Sequence, residues 1–304
     1  MNLESFQSKT KIGRRTHWKA KIVRTLVTGA SGFIGQSLLS QHLTGEIHLL
    51  SRSKLNTGYP NHIQHVGDLQ DKGVVKKLAD LKFDRVVHLA WQGLPELTDE
   101  NNKLNLSLSK NFLKALIDSG VSEVNLVGSC LEYGDLDSKV DESSIGTNIG
   151  EFGEAKLDLL DFVSSQEIKF RWLRVFYAYG PNQHRQSLLS AAYESVLQGV
   201  PLNIRDPRLA RDFIYVDDVS RAIRMLLDSP HSYGVFNVGS GKSTGVGELV
   251  YSLQAQMNLP SVNIKEYELS LRANCKRIEL ACGWRPQIGI EQGVSEFIQW
   301  REQE

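Results

Sequence analysis

Residues 28–35 read Thr-Gly-Ala-Ser-Gly-Phe-Ile-Gly. Three glycines at this spacing do what bulkier residues cannot. One permits a tight turn, one lets backbone N–H groups approach a pyrophosphate, and one lets a helix pack close to a strand. Gly29, Ser31, Gly32, Phe33, Ile34 and Gly35 are therefore candidate contacts for a dinucleotide, with its phosphates at the positive end of a helix dipole. A structural strand–helix turn is the plainer alternative. The stretch Ser51-Arg52-Ser53 bears on which dinucleotide. An NAD(H) site asks for Asp or Glu about 20 residues after the glycines, to hold the ribose 2′-hydroxyl. Arg52 between two serines would instead welcome a 2′-phosphate. The expected cofactor is NADP(H), with NAD(H) second; a solvated turn arginine is the alternative. Asp68, followed by Leu69, is a candidate acceptor for an adenine amino group, and equally a cap for the helix that begins near Asp71.

Positioning such groups needs strands that end where helices begin. The run 22–27 is β-branched and reads as a strand, and Phe33, Ile34, Leu38, Leu39 and Leu43 follow at helical spacing. Further strands are expected at 47–50, 65–71, 85–90, 124–128 and 170–176. Helices are expected at 101–119, closed by Gly120, and at about 154–166. The almost wholly apolar 85–90 suits a parallel strand buried on both faces. His88 within it reads as a packed core histidine. At the end of that strand, Leu89 and the small Ala90 would let a cofactor pass. Strand–helix alternation predicts an α/β fold with a Rossmann-type, doubly wound parallel sheet. Ser129 to Gly134 lies just past a strand's carboxyl end, where sites in such sheets sit. After Gly180 the rhythm becomes irregular, as in a smaller substrate-binding part. The expected division is a basic extension at 1–20, a dinucleotide domain at 21–180, and a mainly substrate-binding domain at 181–304. Some C-terminal segments should return to the dinucleotide domain.

The 304 residues balance 35 basic against 35 acidic side chains, so no global field favours nucleic acid or an anionic membrane. No apolar run approaches the roughly 18 residues of a membrane helix. Three cysteines form neither a disulfide framework nor metal-type spacing, which points to a reducing, cytoplasmic setting. The basic residues 1–20 contain no apolar core of a secretory signal.

With these residues in view, the chain resembles the extended short-chain dehydrogenase/reductases of the nucleotide-sugar epimerase/dehydratase family. The likeness is carried by 28–35, His88-Leu89-Ala90, Ser129 with Tyr133-Gly134, 174–181, 211–219, 236–240 and Gly283-Trp284-Arg285-Pro286. More narrowly, Trp91 with Gly93-Leu94-Pro95, and Cys130 with Glu132-Tyr133-Gly134, resemble the branch that reduces nucleotide-linked 4-keto-6-deoxyhexoses. The resemblance implies a nucleotide-diphosphate sugar as substrate, with Trp91 and Cys130 beside it. It implies Arg211 and Arg272 on the diphosphate, and Asn182 and Ser187 in the base-contacting segment. For Arg211 the alternative is a structural pair with Asp212 or Asp217. Arg185, Arg205 and Arg208 read as a solvated face. A homodimer through helices 101–119 and 154–166 is also implied.

One departure matters most. The family's catalytic group is a Ser or Thr with a Tyr-x-x-x-Lys on the next helix. Ser129 and Lys156 hold two of those places, and the tyrosine position is Phe152. In the family the tyrosine exchanges a proton with the sugar oxygen while hydride moves between carbon and nicotinamide. The lysine lowers the tyrosine pKa and bonds the ribose. Loss of such a general acid costs about 10²–10⁴-fold in rate. Three readings of Phe152 stand open: a deliberate change from tyrosine, a naturally slow or inactive binder, or a substitute donor in Ser129, Glu154 or water. The expectation is a 4-keto reductase of impaired activity. Leu131 in place of an acid disfavours dehydration. A 4-epimerase and a non-catalytic binder are the rivals.

Overall fold

In this computed structural model, residues 22–303 are described, apart from 57, 59–61, 97, 201–203, 205, 260–266 and 269. The basic extension 1–20 and Arg205 lie outside the described residues.

Seven strands form one parallel sheet: β1 (Arg24–Thr28), β2 (Glu46–Ser51), β3 (Ile63–Val66), β4 (Arg85–His88), β5 (Glu123–Ser129), β6 (Lys169–Val175) and β7 (Gly234–Val238). Their order is β7-β6-β5-β4-β1-β2-β3. Chain direction across the sheet reverses between β1 and β4, where Thr25 to Thr28 stand opposite Arg85 to His88. A crevice opens at such a reversal beyond the strands' carboxyl ends. Nine α-helices lie among the described residues. They are α1 (Phe33–Ser40), α2 (Lys72–Asp80), α3 (Asp99–Asp118), α4 (Glu151–Ser164), α5 (Leu188–Gln198), α6 (Val216–Leu227), α7 (Val246–Gln256), α8 (Lys276–Cys282) and α9 (Ile290–Arg301).

The period-two pattern of the strands makes both faces apolar. On one face Val27, Leu49, Val87, Leu173 and Phe236 pack with α1, with Val219 and Ile223 of α6, and with Trp284. On the other, Leu26, Val86, Val124 and Trp172 pack with Phe112 and Leu116 of α3 and Leu159 and Val163 of α4. A third cluster joins Tyr179, Leu189, Tyr193, Leu249, Leu253 and Phe297 beyond the sheet.

Two boundaries differ from the sequence reading in ways that matter for the site. The third strand ends at Val66, so Asp68 stands in the following loop. Asp71, not Asp68, caps α2, its carboxylate accepting from the N–H groups of Gly73 and Val74. Helix α4 starts three residues earlier than expected, at Glu151, after an extended Gly150. Glu151 and Glu154 in its first turn suit the helix dipole. Phe152 and Lys156 are thereby one helical turn apart on a formed helix.

Candidate active site

The glycines of the turn after β1 do unequal work. Gly29 has φ +70°, and a Cβ there would lie 2.7 Å from the Ala90 nitrogen. A Cβ on Gly35 would run into the Gly29 carbonyl oxygen and Ala30. Both are required by the fold. Gly32 caps α1 in extended conformation and its added Cβ would meet only the Gly29 oxygen, at 3.2 Å. No side chain caps α1, and its first turn carries no acid. Its opening N–H groups, those of Phe33 and Ile34 included, therefore face outward unmatched, the arrangement that receives an anion.

An open cleft of about 740 Å³ lies above this turn. Gly29, Ser31, Gly32, Ser51, Arg52, Asp68, Leu69, Leu89, Ala90 and Trp91 are among the residues that line it. Phe33, Ile34, Gly35 and Ser53 do not line it. Arg52 is exposed on the rim. The Ser51 hydroxyl is committed, donating to the Ser53 carbonyl at 2.6 Å. Asp68 accepts from the Gln70 N–H at 2.9 Å. His88 bridges the Thr28 hydroxyl at 2.8 Å and the Ser109 hydroxyl at 3.0 Å. Burial and the nearby Lys156 push its pKa down to about 3, so it is a neutral structural link. Sequence reasoning missed Asn105, which lines the cleft and ties Gln92 through both its N–H and its carbonyl. Its place at helical spacing from Ser109 and Phe112 was the available signal.

Ser129 ends β5, and Phe152 and Lys156 stand on α4, from which Lys156 reaches the Val127 carbonyl of the same strand. Ser129 caps a short 3₁₀ turn, Cys130–Tyr133, its hydroxyl oxygen accepting from the Leu131 N–H. Lys156 is buried and donates to the Val127 carbonyl at 3.1 Å. Its ammonium lies 3.8 Å from the centre of the Trp91 ring and 5.5 Å from that of Phe152. The two rings meet edge to face at 5.7 Å. Burial pushes the Lys156 pKa down to about 7 against the opposing pull of Glu132. None of these three residues lines the cleft; Trp91, which does, covers the lysine. Glu154 is exposed, off the face that Phe152 and Lys156 share.

Glu132 turns inward. It is buried, with the Arg174 Nε at 2.6 Å and the Trp172 indole N–H at 3.1 Å. Cys130 corrects an expectation. It is 2% exposed and packs with Tyr133, Val140, Phe176, Leu271 and Ala273, so it offers a substrate no surface. Burial first, with Asp212 nearby, pushes its thiol up to about 12.

The second cleft, about 1780 Å³ and open, is lined by Leu131, Asp137, Tyr177, Arg208, Arg211 and Leu271, among others. Arg211 is not paired with Asp212 or Asp217. Its Nη1 donates to the Ala210 carbonyl at 2.9 Å and its guanidinium lies 5.0 Å from the Tyr177 ring centre. Asp212 is spent on the N–H groups of Ser240, Gly241 and Ala273, and Asp217 accepts from Ser37 at 2.5 Å. Arg272 stands next to Leu271, and its buried Nε has no hydrogen-bond partner. Asn182, exposed at φ +64°, and Ser187, at the start of α5, line neither cleft. Arg185 is exposed. Arg208 is exposed too, with its carboxylate neighbour Asp206 at 3.9 Å.

The chain is similar to known proteins. The chain is 24% identical to a putative UDP-glucose 4-epimerase of Methanocaldococcus jannaschii over 90% of its own length and 97% of that protein's. It is 23% identical to the dTDP-4-dehydro-6-deoxyglucose reductase of Escherichia coli, over 90% and 96%. Its fold superposes with a TM-score of 0.81, at 19% identity and over 92% and 99% of the two chains, on the UDP-glucuronic acid 4-epimerase of Bacillus cereus. That structure is of a tyrosine-to-phenylalanine variant in complex with UDP-4-deoxy-4-fluoro-glucuronic acid and NAD. Residues 25–239 match the NAD dependent epimerase/dehydratase family, and the chain belongs to that family.

Proposed function

We propose that this protein binds NADP(H) in the first cleft and a nucleotide-diphosphate sugar in the second, and reduces a 4-keto group of a (6-deoxy)hexose. The observation that carries the reading is Ser129 at the end of β5 with Lys156 of α4 on the Val127 carbonyl of that strand, under Trp91 of the first cleft and one helical turn from Phe152. The cofactor fits the first cleft because Gly32 leaves room over an uncapped helix end, where phosphate oxygens would be matched by N–H groups. Arg52 on the rim supports a 2′-phosphate. When bound, the cofactor supplies hydride to the sugar carbon. The Ser129 hydroxyl polarises the carbonyl by donating to its oxygen. Arg211, held against Tyr177 and free of carboxylates, offers its guanidinium to the diphosphate. Lys156 would engage the cofactor ribose once Trp91 moves off it. Phe152 keeps the ring of the family's proton donor and lacks the hydroxyl.

The test begins with calorimetric titration of NADPH and NADH, followed by assay with a dTDP- or UDP-linked 4-keto-6-deoxyhexose. We expect tighter binding of NADPH, slow oxidation of it in the presence of the keto-sugar, and a sharp rise with Phe152→Tyr. Tighter NADH binding overturns the Arg52 reading. Cofactor binding without turnover in either chain overturns the reductase reading in favour of a binding protein. The Methanocaldococcus relative keeps a 4-epimerase in view, and tightly held oxidised cofactor on purification would mark it. A homodimer through α3 and α4, in a reducing cytoplasmic setting, belongs to the same proposal. No helix among the described residues is long and apolar enough to cross a membrane.

A further inference from the structure

The phenylalanine at 152 leaves the question of where the proton comes from. The groups near the end of β5 can be taken in turn. His88 is neutral and held at both nitrogens. Glu132 is locked to Arg174 and Trp172. Cys130 is buried in an apolar cluster. Lys156 lies under Trp91. Among tyrosines, the Tyr133 hydroxyl faces the Asn237 side-chain oxygen at 2.7 Å and the Asp141 carbonyl at 3.0 Å. The Tyr179 hydroxyl donates to the Gly289 carbonyl, and that of Tyr267 to the Ser243 carbonyl.

Tyr177 differs from all of these. It is half-buried, it lines the second cleft, and no described residue hydrogen-bonds its hydroxyl. Val175 stands opposite Ser129 in the sheet register, and Tyr177 follows two residues later. The strand ends at Val175, and Tyr177 packs against the cluster that holds Cys130, the residue after Ser129. Arg211 places a guanidinium over its ring, 5.0 Å from the centre. Phenol and cation in contact are the chemical pair that Phe152 breaks at the other position.

We propose that Tyr177 is the proton donor of this enzyme, its open hydroxyl sharing the reacting carbonyl oxygen with Ser129. The inference rests on the reductase reading above. In the step, hydride from the reduced nicotinamide cofactor forms the new C–H bond at the carbonyl carbon. The C=O π pair moves to oxygen, the new O–H bond forms, and the phenol O–H bond breaks. The carbonyl is reduced and the nicotinamide oxidised; the phenolate regains its proton from water. Burial, with Cys130 close by, raises the phenol's pKa to about 12 while Arg211 pulls the other way, so the group enters the step as the neutral donor.

The experiment compares wild type, Tyr177→Phe, Phe152→Tyr and the double variant, using NADPH and the 4-keto-6-deoxyhexose nucleotide. Cofactor and product-nucleotide binding are measured in parallel by calorimetry. Tyr177→Phe should lower kcat by about 10²–10⁴-fold, with KM and both binding constants within a few-fold of wild type. Adding Phe152→Tyr to it should restore turnover. A Tyr177→Phe chain with kcat within threefold of wild type, or one that changes KM alone, overturns the proposal. So does an inactive wild type beside an active Phe152→Tyr, which leaves the reductase reading standing. No turnover by any chain with cofactor bound overturns that reading and this proposal together.

Discussion

Lys156 is a cation with an unusual set of neighbours: two aromatic faces, one carbonyl, and no carboxylate in contact. Its folded pKa of about 7 lies below the 10.5 it has in an unfolded chain. Between those values the unfolded chain holds the proton that the native state has released. Stability therefore rises with pH from about 7 to 10.5 through this group, and is lost as pH falls toward 7. Lys156→Met should remove that slope and raise Tm below neutrality, at the expense of cofactor affinity. Thermal melts from pH 6 to 10 check it; a melting temperature lowered by the substitution would show that the cation is a net stabiliser. Such behaviour was only half legible in the residues. That 152 and 156 share a helix face follows from their spacing. That Trp91 covers the amine does not, because the contact joins a loop after β4 to a helix some sixty residues on. Cys130 failed for the same reason: its neighbours Val140, Leu271 and Ala273 are strangers in sequence.

At the scale of elements, the strand–turn–helix around Gly29 was readable because its pattern and its chemistry agree locally. A β-branched run, a glycine turn and a helical apolar stripe leave little choice. The start of α4 was harder. Gly150 in an extended conformation and acids in the first turn set it, and neither is an apolar signal. The glycines themselves separate two kinds of demand. Gly35→Ala should cost the fold, because the new methyl meets backbone that cannot yield. Gly32→Ala needs the Gly29 carbonyl to give by only a few tenths of an ångström. We expect it to leave Tm within a few degrees and to weaken dinucleotide binding at least tenfold. Equal loss of stability in both variants would return Gly32 to a purely structural role.

For the molecule as a whole, the surface proposed for self-association is charged. α4 exposes Glu151, Glu154, Asp158 and Asp161 along one face, and α3 exposes Lys103 and Lys114, each paired within its own helix, to Asp99 and Asp118, so a partner's acids would have to exchange with these. In a two-fold pair each acidic face would meet the partner's lysines. Light scattering should then find a dimer at low ionic strength that loosens as salt rises; a monomer at every salt concentration refutes it.

The return of the chain to the sheet as β7 bears on how the protein can be cut and recombined. Residues 21–180 read as a self-contained cofactor half, yet that fragment would end with β6 as a bare edge, its row of N–H and C=O groups open. It would also lack α6 and Trp284, which cover one face of the sheet, and the Ser37–Ser220 hydrogen bond at 2.7 Å. The cofactor half is thus completed by sequence from the other side of the substrate cleft. Grafting a new substrate region onto this protein would require carrying β7, α6 and the Trp284 loop as part of the host, and exchanging only the segments between them.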